Sequence, residues 1–283
     1  MERCNMAKDL YQIIEIEDDC PVETYEKRDG VEYGTVHHVT YFSNTTNCER
    51  GFNIILPPNY SEDKKYPLIF LLHGIFGNEH VLIDDENNKI VEILGNLKAD
   101  GKAKEMILVL PHMYATGDPN MQPSFDPKSV LPYDNFINDL VNDLLPYVRE
   151  HYSVLTDRDH QAIAGFSMGG RETLFIGLQR PDIFGYVCAI APAPGLVPGK
   201  DWAMEHPGQL SEDEVKFKEG DELPHLLMVC CGSQDGTVGQ FPKSYHEIFE
   251  RNGVKHIWYE VPGADHNSQA IRSGLNNFLK TIF

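Results

Sequence analysis

The sequence predicts an α/β fold: a mainly parallel central sheet, helices on both of its faces and a small cap or loop insertion. Three observations point there. Short apolar runs alternate with helix-length segments between residues 66 and 281. Those runs are apolar throughout rather than at every second position, as strands covered on both faces are. Three of the later runs end in Gly-containing turns that present Ser167, Asp235 and His266. Parallel sheets gather their chemistry at such carboxyl strand ends.

Taken in order, residues 36–43 and 50–57 read as two strands joined by an Asn/Thr-rich turn, an antiparallel start. Residues 66–73 form the next run, followed by a helical stretch around 86–100. The run 106–110 precedes a long loop and a helix near 134–152. Residues 162–164 lead into Ser167 and a helix through about 180. Runs at 186–190, 226–230 and 257–261 complete the strands, with helices near 243–252 and 268–281. Two connections, 112–133 and 193–224, exceed the usual loop length and follow strands, so both rim the carboxyl edge. The second contains Trp202 and is rich in Pro, Gly and charge, which reads as the cap. With no repeat or linker, the chain divides into an N-terminal extension (1–35) and one domain (36–283).

Composition narrows the classes. A chain of 283 residues, 41% hydrophobic, buries one substantial core. Its 43 acids against 24 bases give a net charge of −19, which repels nucleic acid and anionic membrane surfaces. No run approaches the ~20 apolar residues of a membrane span. Residues 1–9 lack a signal peptide's apolar stretch, which favours a cytoplasmic location, or secretion if a leader has been trimmed. Among the six cysteines, Cys188, Cys230 and Cys231 fall in apolar runs as buried thiols, while Cys20 and Cys48 pair only in an exported protein.

The chemistry starts from Gly165-Phe166-Ser167-Met168-Gly169, a G-x-S-x-G pentapeptide between an apolar run and a helix. That context is a nucleophile elbow, in which small residues two positions either side of the serine permit a cramped strand-to-helix turn. A serine hydroxyl also needs a base, a group that fixes the base's tautomer, and donors for the developing oxyanion. Asp235 in Gly232-Ser-Gln-Asp235-Gly236 and His266 in Gly263-Ala-Asp-His266 follow in the order this chemistry uses. Asp265 is the competing acid, but as the chain neighbour of His266 it is poorly placed to reach that imidazole. The expected oxyanion donors are the backbone N–H groups of Met168 and of Ile75, with Phe76 second to Ile75. His73 reads as a structural hydrogen-bonding residue, and Asp84-Asp85-Glu86 as a solvated helix start. There is no phosphate loop and no H-E-x-x-H, and His37-His38 lacks partner spacing, so neither cofactor nor metal is assigned.

Residues 56–80 (LPPNYSEDKKYPLIFLLHGIFGNEH), 152–170 (YSVLTDRDHQAIAGFSMGG) and the closing Gly-Ala-Asp-His266 resemble carbohydrate esterase family 1. The likeness is nearest to the feruloyl esterase modules attached to bacterial xylanases, with esterase D-type enzymes further off, and covers residues 36–283. It implies an α/β-hydrolase fold and hydrolysis of feruloyl or acetyl esters on xylan or its oligosaccharides, without a cofactor. The family's triad carries over onto Ser167, Asp235 and His266, and its oxyanion amides onto Ile75 and Met168. Two family tryptophans are missing: one position is Val81-Leu82 here, the other falls within residues 267–271. Phe76, Trp202 and Tyr133 are the expected substrate contacts, with Tyr114 and Phe125 as further aromatics on the long loops. A short-chain or thioester hydrolase, an acyl-aminopeptidase and a non-catalytic carbohydrate-binding relative are the alternatives.

Overall fold

The computed structural model describes residues 9–118 and 120–283. Residues 1–8 of the segment read for a signal peptide, Cys4 among them, lie outside the described residues.

The strands form one eight-stranded sheet: β1 (Thr35–Ser43), β2 (Cys48–Leu56), β3 (Leu68–Leu72), β4 (Ile107–Pro111), β5 (Gln161–Phe166), β6 (Tyr186–Ile190), β9 (Leu226–Gly232) and β10 (Ile257–Val261). A two-residue ribbon, β7 (Gly199–Lys200) with β8 (Glu205–His206), stands apart in the cap. Strand order in the sheet is β1-β2-β4-β3-β5-β6-β9-β10. The β1–β2 and β2–β4 pairs are antiparallel and every other pair is parallel.

Alternate side chains of the central strands enter two cores, one on each face. Leu68, Phe70, Val109, Ile163 and Val187 belong to one, packed with Leu174 and Phe249 of two helices. Ile69, Leu71, Leu108, Ala164 and Cys188 belong to the other, packed with Ile93 and Leu275. Burial on both faces is why these strands read as unbroken apolar runs.

One element departs from expectation. Within the supposed loop 112–133 a helix already starts at Pro127 (Pro127–Asp134), with Asp126 accepting from Lys128 N–H at its amino end. An Asp N-cap followed by Pro at the first position is a helix-start signal, here set in a stretch without apolar periodicity. The helical path continues through Phe136–Asp139, a π segment at Leu140–Leu144, and Leu145–His151. Pro146, which has no N–H to donate into the ladder, lies just past the π turn.

Residues 193–224 carry the β7–β8 ribbon and are fastened to the body. Leu196, Val197 and Val215 enter the core, and the Tyr245 hydroxyl donates to the Ala193 carbonyl at 2.9 Å. Cys20 and Cys48 are free thiols, so no bridge joins them. No helix among the described residues is long and apolar enough to cross a membrane.

Candidate active site

Ser167 stands between β5 and the helix Met168–Gln179, with φ 59° and ψ −118°. A non-glycine residue holds such a conformation only where its surroundings enforce it. Here the enforcement is steric. A Cβ on Gly165 would lie 2.2 Å from the Gly169 carbonyl oxygen, and one on Gly169 would lie 2.3 Å from that of Leu72. The Ser167 N–H donates to Ile190 O at 3.0 Å, and its own carbonyl accepts from Arg171 and Ala193. The two motif glycines are therefore points of backbone contact that let β5, β3 and the helix close on the serine.

Asp235 and His266 meet beyond β9 and β10. Gly232, which ends β9, allows the approach: a Cβ there would lie 2.3 Å from the Ala264 carbonyl oxygen. Gln234 N–H also donates to Ala264 O at 2.9 Å. As a result, His266 Nδ1 is 2.7 Å from Asp235 Oδ2, and the Asp235 side chain is only 1% exposed. The other carboxylate oxygen accepts from the N–H groups of Thr237 (3.0 Å) and Val238 (3.1 Å), which hold it in place. Asp265 instead accepts from the backbone N–H of His266. Phe166 lies against the His266 ring at a centroid distance of 4.4 Å, a contact the sequence reading did not name.

The turn after β3 is anchored from behind. Gly74 abuts the serine, since a Cβ there would be 3.3 Å from Ser167 Cβ. The Phe76 N–H donates to the Tyr133 hydroxyl at 3.1 Å. Phe76 is thereby removed as second choice for the oxyanion amide, while the N–H groups of Ile75 and Met168 have no acceptor among the described residues. Tyr133 needs the same revision: it is fully buried and bonded to the turn, so it shapes the loop instead of walling the substrate. His73 is buried, its Nδ1–H donating to Gly74 O (2.7 Å) and its Nε2 accepting from Met113 N–H (3.0 Å). Burial pushes its pKa down to about 3, so the ring is a neutral brace between the turns after β3 and β4.

Two hollows flank Phe76. One, of about 500 Å³, is lined by Gly74, Ile75, Phe166 and His266. Val81, Leu82, Asn267 and Ile271 line it too. The other, of about 550 Å³, is lined by Arg50, Glu79, His112, Tyr114 and Met121. From Phe76 a chain of exposed rings continues. Phe76 meets Phe125 edge-on at 5.1 Å, and Phe125 meets Trp202 at 5.4 Å. Each ring comes from a different loop, and all three are at least half exposed.

Beneath the cap, Arg171 and Glu172 are buried at the start of the serine's helix. Arg171 pairs with Glu172 and with Asp134, and Gln209 of the cap donates to Asp134 Oδ1 (3.1 Å) and Glu172 Oε2 (3.0 Å). This network ties the cap to the elbow, and no motif announced it. The fold also gives His38 the partners that its sequence neighbours did not supply, Glu79 and His80.

A serine elbow in an eight-stranded, mainly parallel sheet, with a His–Asp pair beyond the ends of β9 and β10, defines an α/β-hydrolase. A family model described as "Putative esterase" matches residues 43–248, and the chain belongs to that esterase family and, within it, to carbohydrate esterase family 1. A CE1 ferulic acid esterase of Anaeromyces mucronatus, solved in complex with ferulic acid, is 47% identical with a TM-score of 0.91, covering 95% of this chain and 98% of that one. An endo-1,4-beta-xylanase/feruloyl esterase of Xylanibacter ruminicola is 28% identical over 92% of this chain. The match spans only 33% of that relative's length. An S-formylglutathione hydrolase of Staphylococcus aureus, 19% identical with a TM-score of 0.62 over 90% of this chain and 99% of that one, shares the fold.

Proposed function

We propose that this chain is a serine esterase that releases hydroxycinnamic acids such as ferulic acid from xylan or its oligosaccharides through an acyl-enzyme. The observation that carries the esterase reading is the 2.7 Å contact of His266 Nδ1 with buried Asp235, two strands from the serine elbow. With Nδ1–H given to Asp235, the Nε2 lone pair is available to take the Ser167 proton as Oγ attacks the ester carbonyl. The Ile75 and Met168 N–H groups receive the oxyanion, the latter at a helix amino end whose dipole favours negative charge. Protonated His266 then passes its proton to the leaving alcohol. In the second half, His266 takes a proton from water, the hydroxide attacks the acyl carbonyl, and Ser167 leaves with its proton restored. The two hollows either side of Phe76 suit an ester that straddles the oxyanion turn, acyl group on one side and sugar on the other.

The feruloyl preference draws support from the relative solved with ferulic acid and from the Phe76–Phe125–Trp202 chain. Those rings offer a phenolic acyl group edge-on and stacking contacts worth about 0.5–1.5 kcal/mol per pair. Kinetics on methyl ferulate test this. Phe125→Ala and Trp202→Ala each raise KM several-fold for ferulate while leaving 4-nitrophenyl acetate within twofold of wild type. Equal losses on both esters, or none on ferulate, would remove the aromatic chain from the account. Acetate cleavage with ferulate untouched would move the assignment to an acetyl or general short-chain esterase.

A further inference from the structure

Around Glu79, beyond the oxyanion turn, three imidazoles converge that the esterase chemistry does not use. His38 comes from β1, His80 from the turn after β3, and His112 from the end of β4. His38 Nε2 lies 3.2 Å from Glu79 Oε1, and His80 Nε2 lies 3.7 Å from the same oxygen. His112 Nδ1 lies 3.8 Å from Oε2. The donor atoms of His38, Glu79 and His80 all fall within 4.8 Å of one another. Glu79 pairs with no lysine or arginine among the described residues, although its side chain is only 13% exposed. Apart from its own backbone N–H, the carboxylate faces imidazoles, which leaves its charge without a fixed cation.

The separations suit a shared ion as well as they suit hydrogen bonds. One oxygen facing two ring nitrogens at 3.2 and 3.7 Å makes at best one hydrogen bond, and a long one. Tetrahedral zinc with bonds of about 2.0–2.1 Å places its ligands about 3.3 Å apart, close to both separations. The backbone also keeps this point clear. A Cβ on Gly51 of β2 would lie 2.4 Å from Glu79 Oε1 and 2.9 Å from His38 Nε2. Behind His80, Asn53 Nδ2 is 3.1 Å from Nδ1. The same amide nitrogen donates to the Glu79 carbonyl at 2.9 Å, so Asn53 of β2 holds the His80 ring and the Glu79 backbone together.

We propose that His38 Nε2, His80 Nε2 and the Glu79 carboxylate bind one divalent transition metal of the zinc class, its open position facing His112 and the 550 Å³ hollow. Two imidazoles and a carboxylate suit such an ion, whereas magnesium and calcium favour oxygen donors throughout. The ion would pin residues 77–80, which continue the oxyanion turn, to the β1–β2 hairpin.

The test is calorimetric titration of chelator-stripped full-length protein with zinc chloride, independent of any esterase substrate. Wild type and Ser167→Ala are expected to bind one equivalent with the same affinity. His38→Ala and His80→Ala, both at exposed side chains, are each expected to bind at least tenfold more weakly. Gly51→Ala keeps every ligand and fills only the space between them, and it is expected to weaken zinc equally. Absence of saturable binding to wild type, binding unchanged by all three substitutions, or binding lost in Ser167→Ala would overturn the proposal.

Discussion

Ser167→Ala is expected to lower kcat on any ester this protein cleaves by roughly a million-fold, the scale seen when a serine nucleophile is removed. The size follows from the site, where the Ser167 hydroxyl is the only nucleophile offered at the elbow. What remains would be the oxyanion amides and the binding hollows, which alone retain modest catalysis over water. The fold should survive. Alanine meets the same φ of 59° that serine does, and the bonds that hold the turn, to Ile190, Arg171 and Ala193, are made by the backbone. A urea midpoint close to that of wild type, with turnover lost, is the expected pair of results. Activity within a hundredfold of wild type would mean that another group is the nucleophile.

Asp235→Asn should cost about ten-thousand-fold in kcat with little change in KM. The substituted carboxamide would keep one oxygen for the Thr237 and Val238 N–H groups, so the turn stays in place. Its NH2 would then face His266 Nδ1 and donate to it. That reverses the tautomer: Nε2 would carry the proton and have no lone pair for the serine. Burial makes the effect large, since at 1% exposure no water substitutes for the carboxylate. A loss below tenfold, read as kcat and KM separately on one ester, would leave the tautomer argument without support and reopen Asp265 as the partner.

The parts of this account that were legible in the sequence are those governed by short-range pattern. Unbroken apolar runs at residues 66–73 and 226–230 report strands buried on both faces, because period and burial are local properties. The elbow is legible because its glycines must stand two residues either side of the serine, where the backbones of Leu72 and Gly169 leave no room for a Cβ. Asp235 and His266 announce themselves by falling just after strands in the expected order. What stayed hidden depends on contacts between distant segments. Tyr133 looks like any loop aromatic until the fold brings its hydroxyl to the Phe76 N–H, 57 positions earlier. Gln209, Glu172, Arg171 and Asp134 carry no spacing that foretells one network. His38 sits beside His37 in the sequence, yet its partners Glu79 and His80 lie on a distant turn. The Asp126-Pro127 helix start was written in the chain, by contrast, and went unread because the surrounding loop lacks apolar periodicity.

The central claim, a serine esterase tuned to a phenolic acyl group, is tested most directly by kcat/KM of the wild-type protein on methyl ferulate against methyl acetate. The two esters share an alcohol, so any difference belongs to the acyl side. Ferulate is expected to be preferred by at least about tenfold. Efficient cleavage of methyl acetate with methyl ferulate left intact would contradict it.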